Sequence, residues 1–168
     1  MKLVNTLKTA LPAVAVGILA LGLAPMPAIA ATATTTFAVT ATVQATCLVS
    51  ATALAFGTYT GVLVNATSTV SVTCTNTTPY NVGLNVGLAT GATVTTRKMT
   101  GPASAVLAYG MYQDSAHSVN WGQTISTDTV TGTGNGSAQA ITVYGQTAAA
   151  QYVAPGAYSD TITATVTY

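Results

Sequence analysis

Charged side chains are scarce in this chain. Only 4% of the 168 residues are charged and none is glutamate, whereas about 25% is ordinary for a domain. Nucleic-acid binding needs a basic face that neutralises phosphates, and attachment to anionic lipid needs a polybasic run. The sequence therefore predicts neither function, and it predicts a surface of Thr, Ser, Asn, Gln and Gly. The charged residues are Lys2, Lys8, Arg97, Lys98, Asp114, Asp128 and Asp160.

Long apolar runs are absent except at the N-terminus. Lys2 and Lys8 precede the apolar stretch Leu11–Ala24, and after two prolines Ala28-Ile29-Ala30 forms an A-x-A site. A basic start, a short apolar region and small residues at a cleavage site are typical of a secretory signal peptide. A membrane-spanning helix would need about 20 apolar residues. We therefore predict a signal peptide over residues 1–30, a mature chain from Ala31, and no membrane insertion after cleavage.

Cysteine and histidine are also rare, with only Cys47, Cys74 and His117. These three residues cannot complete a four-ligand structural zinc site, and the aspartates lack the clustered spacing of a calcium loop. We predict no cofactor and no metal. Because a secreted chain enters an oxidising compartment, the cysteine pair predicts one disulfide, which would stabilise the fold by roughly 3–4 kcal/mol.

The sequence contains segments in which apolar and polar residues alternate strictly. Along Thr35–Cys47 the apolar residues occupy alternate positions and threonines dominate the others, which predicts a strand about 40 Å long. Such a strand at the start of the mature chain can pair within its own domain or reach into another. The apolar positions are Phe37, Val39, Ala41, Val43, Ala45 and Cys47.

Further short segments indicate strands, and none has helical periodicity. Together they predict one all-β sandwich. The glycine-rich Thr131–Ser137 predicts a loop, and the last strand runs to Tyr168 with few charges to protect sheet edges. The predicted strand segments are Leu48–Phe56, Ser68–Cys74, Tyr80–Leu88, Ala92–Thr100, Ala103–Gln113, Ser118–Ile125, Ser137–Gly145 and Tyr158–Tyr168.

One short segment contains the residue types of a hydrolase triad. Asp114, His117 and Ser118 lie within five residues, whereas triad members come from separate chain segments and are recognised by geometry. We interpret this segment as a polar turn and predict that the protein is not an enzyme.

Several motifs, in order, resemble the spore coat protein U family, which includes subunits of archaic (Csu-type) chaperone–usher pili. After the alternating N-terminal strand come L-A-F-G-T-Y at Leu54–Tyr59, V-S-V-T-C-T at Val70–Thr75, L-A-Y-G-M-Y-Q-D at Leu107–Asp114 and the closing A-P-G-A-Y-S-D-T-I-T-A-T-V-T-Y at Ala154–Tyr168. The resemblance implies an immunoglobulin-like sandwich that lacks its last strand and is completed by a donor strand.

The resemblance also implies the partners. A periplasmic chaperone lends a strand to the vacant groove and grips the C-terminal carboxylate, here that of Tyr168. At the outer-membrane usher, the N-terminal strand of a neighbouring subunit then replaces the chaperone. Residues 31–46 would be the donor extension and residues 47–168 the incomplete domain. Donor residues would be Phe37, Val39, Ala41 and Val43, and acceptor residues on the C-terminal strand would be Tyr158, Ile162, Val166 and Tyr168.

The function expected from the resemblance is a structural subunit, most simply a shaft subunit, of a surface pilus that serves adhesion and biofilm formation. Such a protein would pass through the periplasm to the cell surface. The alternative is a secreted, self-complete β-sandwich that binds a glycan or a surface through its tyrosines and Trp121. The two hypotheses differ in whether the N-terminal strand leaves its own chain.

Overall fold

The structure is a computed structural model that describes residues 27–168. Within that range residues 27–40 belong to one unit and Ala41–Tyr168 form another. Residues 27–40 contain no helix or strand, and all their side chains are exposed. Most of the predicted signal peptide, residues 1–26, lies outside the described residues.

Eight strands build the unit Ala41–Tyr168. The only helical element in residues 27–168 is a three-residue 3-10 turn, Pro102–Ser104, and the described chain has no helix suited to crossing a bilayer. This confirms the all-β class. The strands are β1 Cys47–Ala51, β2 Val64–Cys74, β3 Pro79–Leu84, β4 Arg97–Thr100, β5 Val106–Tyr112, β6 Val130–Thr133, β7 Gln139–Thr147 and β8 Ala164–Thr167.

The strands form two antiparallel sheets that pack as a sandwich. One sheet has the order β1-β2-β7-β5-β4 and the other has the order β6-β3-β8. In β2 and β7, the two longest strands, burial alternates along the chain as the period-2 pattern requires. The buried core contains Val70, Val72, Cys74, Tyr80, Val82, Leu84, Tyr109, Met111, Trp121 and Val143.

Several predicted segments differ from the structure. Residues 35–46 carry no strand, and β1 begins only at Cys47. Alternation of apolar and polar residues favours a strand, but a strand forms only where its backbone is hydrogen-bonded to a neighbouring strand. The predicted final strand Tyr158–Tyr168 is reduced to β8, Ala164–Thr167. The predicted loop Thr131–Ser137 instead begins within β6, where Gly132 lies opposite Tyr80 and leaves room for its ring.

The segment Ser118–Ile125 is a loop rather than the predicted weak strand, with a single bridge from Asn120 to Tyr112. It is held by Trp121, which is fully buried and whose Nε1 donates to the Val82 carbonyl at 2.8 Å. A buried indole with its one donor satisfied fixes a loop without a sheet ladder.

Arg97 is the only charged residue in the buried core of the described chain. Its guanidinium donates to four backbone carbonyls, those of Leu84, Asn85, Val94 and Trp121, at 2.6–3.0 Å. Removal from water lowers the pKa of the Arg97 guanidinium, and nearby Tyr109 and Asp160 oppose that shift. The side chain thereby joins β4 to the end of β3 and to the Trp121 loop.

Candidate functional site

A continuous cleft runs between two chain segments that are not paired with each other as strands. One wall is formed by residues 51–61 and the other by residues 151–164. Two cavities, of about 390 and 850 Å³, lie end to end along the cleft. Both are lined by Leu54, Phe56, Met99 and Tyr158, so they form one groove.

The floor of the smaller cavity is the hydrophobic core itself. Val70, Leu84, Tyr109, Met111 and Val143 line it, and each of them is buried. The groove therefore gives direct access to the layer between the two sheets. An apolar side chain placed there would join the core rather than the surface.

The first wall is the L-A-F-G-T-Y segment. Leu54 and Phe56 are half-buried and pack over Gly145 of β7, where a Cβ would lie 2.7 Å from a Leu54 methyl. The ring of Phe56 meets that of Tyr109 edge to face, with centroids 5.8 Å apart. Gly145 is thus required by the close approach of this wall to the sheet.

The second wall is held in place by Asp160. Its carboxylate accepts hydrogen bonds from Leu88 N, Thr161 N and the Tyr109 hydroxyl, each at 2.8 Å. Burial, then the hydrogen bond to Asp160, raises the pKa of Tyr109 above its ordinary value, so the hydroxyl remains a donor. The aspartate of the closing motif therefore fixes the position of the wall that carries Tyr158 and Ile162.

The electrostatic character of the groove is close to neutral. Among the described residues that line it, Asp160 is the only Asp, Glu, Lys or Arg, and its carboxylate is already hydrogen-bonded within the wall. The remaining lining is apolar, aromatic or hydroxyl-bearing. Such a groove suits an uncharged, apolar segment.

The second wall and β8 leave backbone groups unpaired on one side. Among the described strands, β8 has a ladder partner only in β3. The backbone of residues 158–163 forms no ladder and is attached by the two reciprocal bonds of the Thr100–Ser159 bridge and by the bond from Asn85 N to the Thr163 carbonyl. Unpaired strand edges are the sites where another strand can add.

The predicted acceptor residues have different positions. Tyr158 and Ile162 line the groove, and Ile162 packs against the core. Val166 lies in β8 opposite Val82 and also packs against the core, but it does not line the groove. Tyr168 is 58% exposed and lines neither cavity.

The predicted donor residues are highly exposed. Phe37, Val39 and Val43 have 84%, 84% and 85% of their surface exposed, and Ala41 is also exposed. Three large apolar side chains at alternate positions in one short segment form an unusual surface, since exposed apolar residues normally occur singly.

Alternation alone did not identify Leu54, Phe56 and Tyr109 as groove residues. They lie in two of the motifs that carry the resemblance, L-A-F-G-T-Y and L-A-Y-G-M-Y-Q-D, so those motifs were the available signal. Arg97 had no such signal, because an arginine between polar residues is typical of a solvated strand.

The family model of the Spore Coat Protein U domain matches residues 33–165. The chain belongs to the spore coat protein U family. The match includes both walls of the groove and the exposed alternating segment. A curated relative, Protein U of Myxococcus xanthus, is 36% identical over 181 residues that cover 98% of this chain and 99% of the relative.

The spore coat protein U domain also has a similar solved structure. A chain of the CsuC–CsuE chaperone–tip adhesion subunit pre-assembly complex, from archaic chaperone–usher Csu pili of Acinetobacter baumannii, matches with a TM-score of 0.54 at 23% identity. The match covers 76% of this chain and 40% of that chain. At this identity the likeness establishes the fold, and this chain spans about two fifths of its neighbour's length.

The predicted disulfide of this spore coat protein U domain is present. Cys47, the first residue of β1, is bonded to Cys74, the last residue of β2, and the two are register partners. The bond closes a 27-residue separation at the point where the exposed N-terminal segment enters the sheet.

The hydrolase-like segment of the domain is a hydrogen-bonded turn. The Asp114 carboxylate accepts bonds from the Ser118 hydroxyl at 2.7 Å and from Val119 N at 2.8 Å, which lower the pKa of Asp114. The His117 ring instead contacts Tyr112 and Tyr144. These contacts agree with the polar-turn interpretation.

Proposed function

We propose that the chain is a structural subunit of a chaperone–usher pilus that polymerises by donor-strand exchange. The observation that carries the proposal is the apolar groove between residues 51–61 and 151–164, whose floor is the core. The segment with Phe37, Val39, Ala41 and Val43 from a second copy would fill it. Membership of the spore coat protein U family supports this reading.

The proposed donor segment is not yet paired as a strand. Residues 35–46 span roughly 40 Å when extended and carry no strand in the described chain. Main-chain bonds to the free edge of β8 would supply strength, and alternate side chains entering the groove would supply register.

The donor side chains differ in what they would contribute. Burial of apolar surface stabilises by about 25 cal/mol per Å², so Phe37, Val39 and Val43 would contribute most and Ala41 least. In the single chain these three larger side chains are exposed, as expected for donor residues that have not yet entered a groove.

The proposed partners follow from assembly. The structural neighbour comes from a chaperone–subunit pre-assembly complex, which supports a periplasmic chaperone that occupies the groove before polymerisation. An outer-membrane usher and identical or related neighbouring subunits complete the set. We place the protein at the cell surface after passage through the periplasm, as a shaft subunit whose fibres serve adhesion and biofilm formation.

The experiment that tests this proposal compares two charge variants of the secreted protein on mild-detergent gels, unheated and boiled. The unchanged protein should give a ladder of multimers that collapses to one band on boiling. Val39→Asp with Val43→Asp should abolish the ladder, because carboxylates would be placed in an apolar groove. Thr40→Asp with Thr42→Asp adds the same charge on the opposite face of the strand and should leave the ladder largely intact.

A single monomer band in both lanes, with intact β structure, would overturn strand exchange and favour the self-complete binding module. Equal polymerisation of both charge variants would instead overturn the donor role of Val39 and Val43. Trp121, Tyr80 and Tyr109 are buried, so a glycan-binding module could not use those three rings.

A further inference from the structure

The outer face of the five-stranded sheet carries a pair of adjacent tyrosines. Tyr112 of β5 and Tyr144 of β7 are register partners, and their neighbours Met111 and Val143 are buried, so alternation directs both tyrosines away from the core. The His117 ring is nearly perpendicular to both, with centroids 5.2 Å from Tyr112 and 6.4 Å from Tyr144. We call Tyr112, Tyr144 and His117 the outer aromatic cluster.

The cluster is preorganised by the backbone beneath it. The Tyr112 ring lies along the sheet over Gly110, where a Cβ would come within 2.7 Å of the ring carbon Cε2. Gly110 lies opposite Gln146 in the ladder, so the ring has an amide side chain beside it. Rings whose positions are fixed in advance lose little conformational entropy when a ligand binds.

Hydroxyl and amide groups surround the outer aromatic cluster in register. Thr67 lies opposite Tyr144, and Thr69 lies opposite Thr142. Gln146 Nε2 donates to Asn65 Oδ1 at 3.0 Å across the same strand pair. Within residues 27–168 the Gln146 Oε1 acceptor and the Asn65 Nδ2 donor have no further protein partner, so both can bond a ligand.

Charge is nearly absent from this face. The outward side chains of β2, β5 and β7 include no charged residue, and Lys98 lies at the margin, on β4 opposite Ala108. Asp114, in the adjoining turn, directs its carboxylate to Ser118 and Val119. An anionic ligand would therefore find little to offset its desolvation.

Aromatic rings bordered by neutral donors and acceptors match one ligand chemistry. Sugar rings present C–H faces that pack on aromatic faces, and their hydroxyls bond amides and threonines. We propose that this face of the sheet binds a neutral polysaccharide, with Tyr144 and Tyr112 as the stacking residues and Gln146 and Asn65 as hydrogen-bonding residues.

The proposed site is separate from the groove. Met111 and Val143 form part of the groove floor, whereas their neighbours Tyr112 and Tyr144 face the opposite side of the same sheet. A strand in the groove and a polysaccharide on the outer face can therefore be bound at the same time, and each site can be tested with the other intact.

The test measures binding of soluble polysaccharides to the immobilised full-length protein. The probes are a neutral β-glucan, a neutral galactomannan and anionic alginate. We expect a neutral probe to bind and alginate not to bind. Tyr144→Ala should weaken binding about tenfold, the order expected for loss of an aromatic contact. Tyr144→Phe keeps the ring, so its Kd should lie within about twofold of that of the unchanged protein.

The control is Ile125→Ala, which shortens an apolar side chain that is 49% exposed in the loop between β5 and β6 and lines neither cavity of the groove, so it should leave binding unchanged. Multimer ladders on unheated gels show that each variant still folds and assembles. The proposal is overturned if no neutral probe binds, or if Tyr144→Ala binds as well as the unchanged protein. It is also overturned if Tyr144→Ala changes only the bundling of fibres, which would make this face a contact between copies.

Discussion

Arg97 is a buried residue whose hydrogen bonds join three separate segments of the interior. One guanidinium satisfies carbonyls from β3, from the turn before β4 and from the Trp121 loop. Carbonyl oxygens at the ends of strands would otherwise be buried without a donor, and each such group carries a desolvation penalty. The planar fork of arginine reaches several carbonyls at once, whereas the ammonium of lysine is a point charge.

We therefore expect Arg97→Met to destabilise the protein by about 3 kcal/mol or more, since it leaves several buried acceptors unpaired. Arg97→Lys should restore only part of that stability. The measurement is the urea midpoint of the full-length chain. Lys98→Met is the matched control, because Lys98 is adjacent, half-buried and points to the outer face, and it should change stability by no more than about 0.5 kcal/mol. An Arg97→Met protein as stable as its control would contradict this account.

The wall formed by residues 151–164 is an element without a ladder. Its position comes from the isolated Thr100–Ser159 backbone bridge and from side chains, above all from the bonds between Asp160, Tyr109 and the backbone at Leu88. Apolar and polar residues therefore alternate along the closing motif, although only Ala164–Thr167 is paired as a strand. The same side-chain attachment would hold the wall in place before and after a strand is added beside it.

The Tyr109 hydroxyl makes this attachment sensitive to alkaline pH. Its folded-state pKa is raised by burial and by Asp160, so its contribution is complete below the unfolded-state pKa of about 10 and is lost as pH rises above that value. We expect stability to decline above about pH 10, and Tyr109→Phe to reduce that decline. Chemical unfolding midpoints at pH 8 and pH 11 measure the effect.

Tyr112→Phe serves as the control, since Tyr112 lies on the outer face of the same strand. Tyr112→Phe should leave the loss of stability between pH 8 and pH 11 as it is in the unchanged protein, whereas Tyr109→Phe should reduce it. An identical loss of stability at high pH in the protein with and without the Tyr109 hydroxyl would mean that another group is responsible.

The elements differ in how well the sequence predicts them. Period-2 alternation located β2, β3 and β7, because each of these strands has one buried face, whereas β5 was predicted from apolar residues on both faces. Alternation failed for residues 35–46, where the pattern is equally clear but these residues pair with no strand among residues 27–168. It also failed for β6, because the glycines of this segment predicted a loop. In the structure Gly132 is part of the strand and leaves room for the ring of Tyr80, which lies opposite it.

The candidate site was only partly predictable for a related reason. Tyr158 and Ile162 could be proposed from the final segment alone. Leu54, Phe56 and Tyr109 come from distant segments, and their convergence depends on the sheet order β1-β2-β7-β5-β4, which alternation does not encode. The buried position of Arg97 depends on carbonyl positions that are set by three separate segments.

Considered as a unit, the domain has one covalent cross-link, and it lies at the beginning of the first strand. β1 is an edge strand whose side chains are mostly exposed, so packing alone holds it weakly. The disulfide restricts the unfolded chain and keeps β1 in register with β2.

Replacing both Cys47 and Cys74 by serine should reduce the free energy of unfolding by about 3–4 kcal/mol. Denaturant unfolding of the variant and of the unchanged protein, with and without a reductant, provides the measurement. Reduction should lower the stability of the unchanged protein to that of the serine variant and leave the variant unaffected. Equal stability of the variant and the oxidised protein would show that the cross-link contributes little.

The location of the disulfide also determines where tension would enter the domain. A pull on residues before Cys47 reaches β1 at its first residue, and hydrogen bonds loaded there would be peeled apart one after another. Because Cys47 is covalently joined to Cys74, the load passes instead to β2, an 11-residue strand held between β1 and β7. The five residues of β1 are thereby relieved of the force, and the domain resists traction through one of its longest, doubly paired strands.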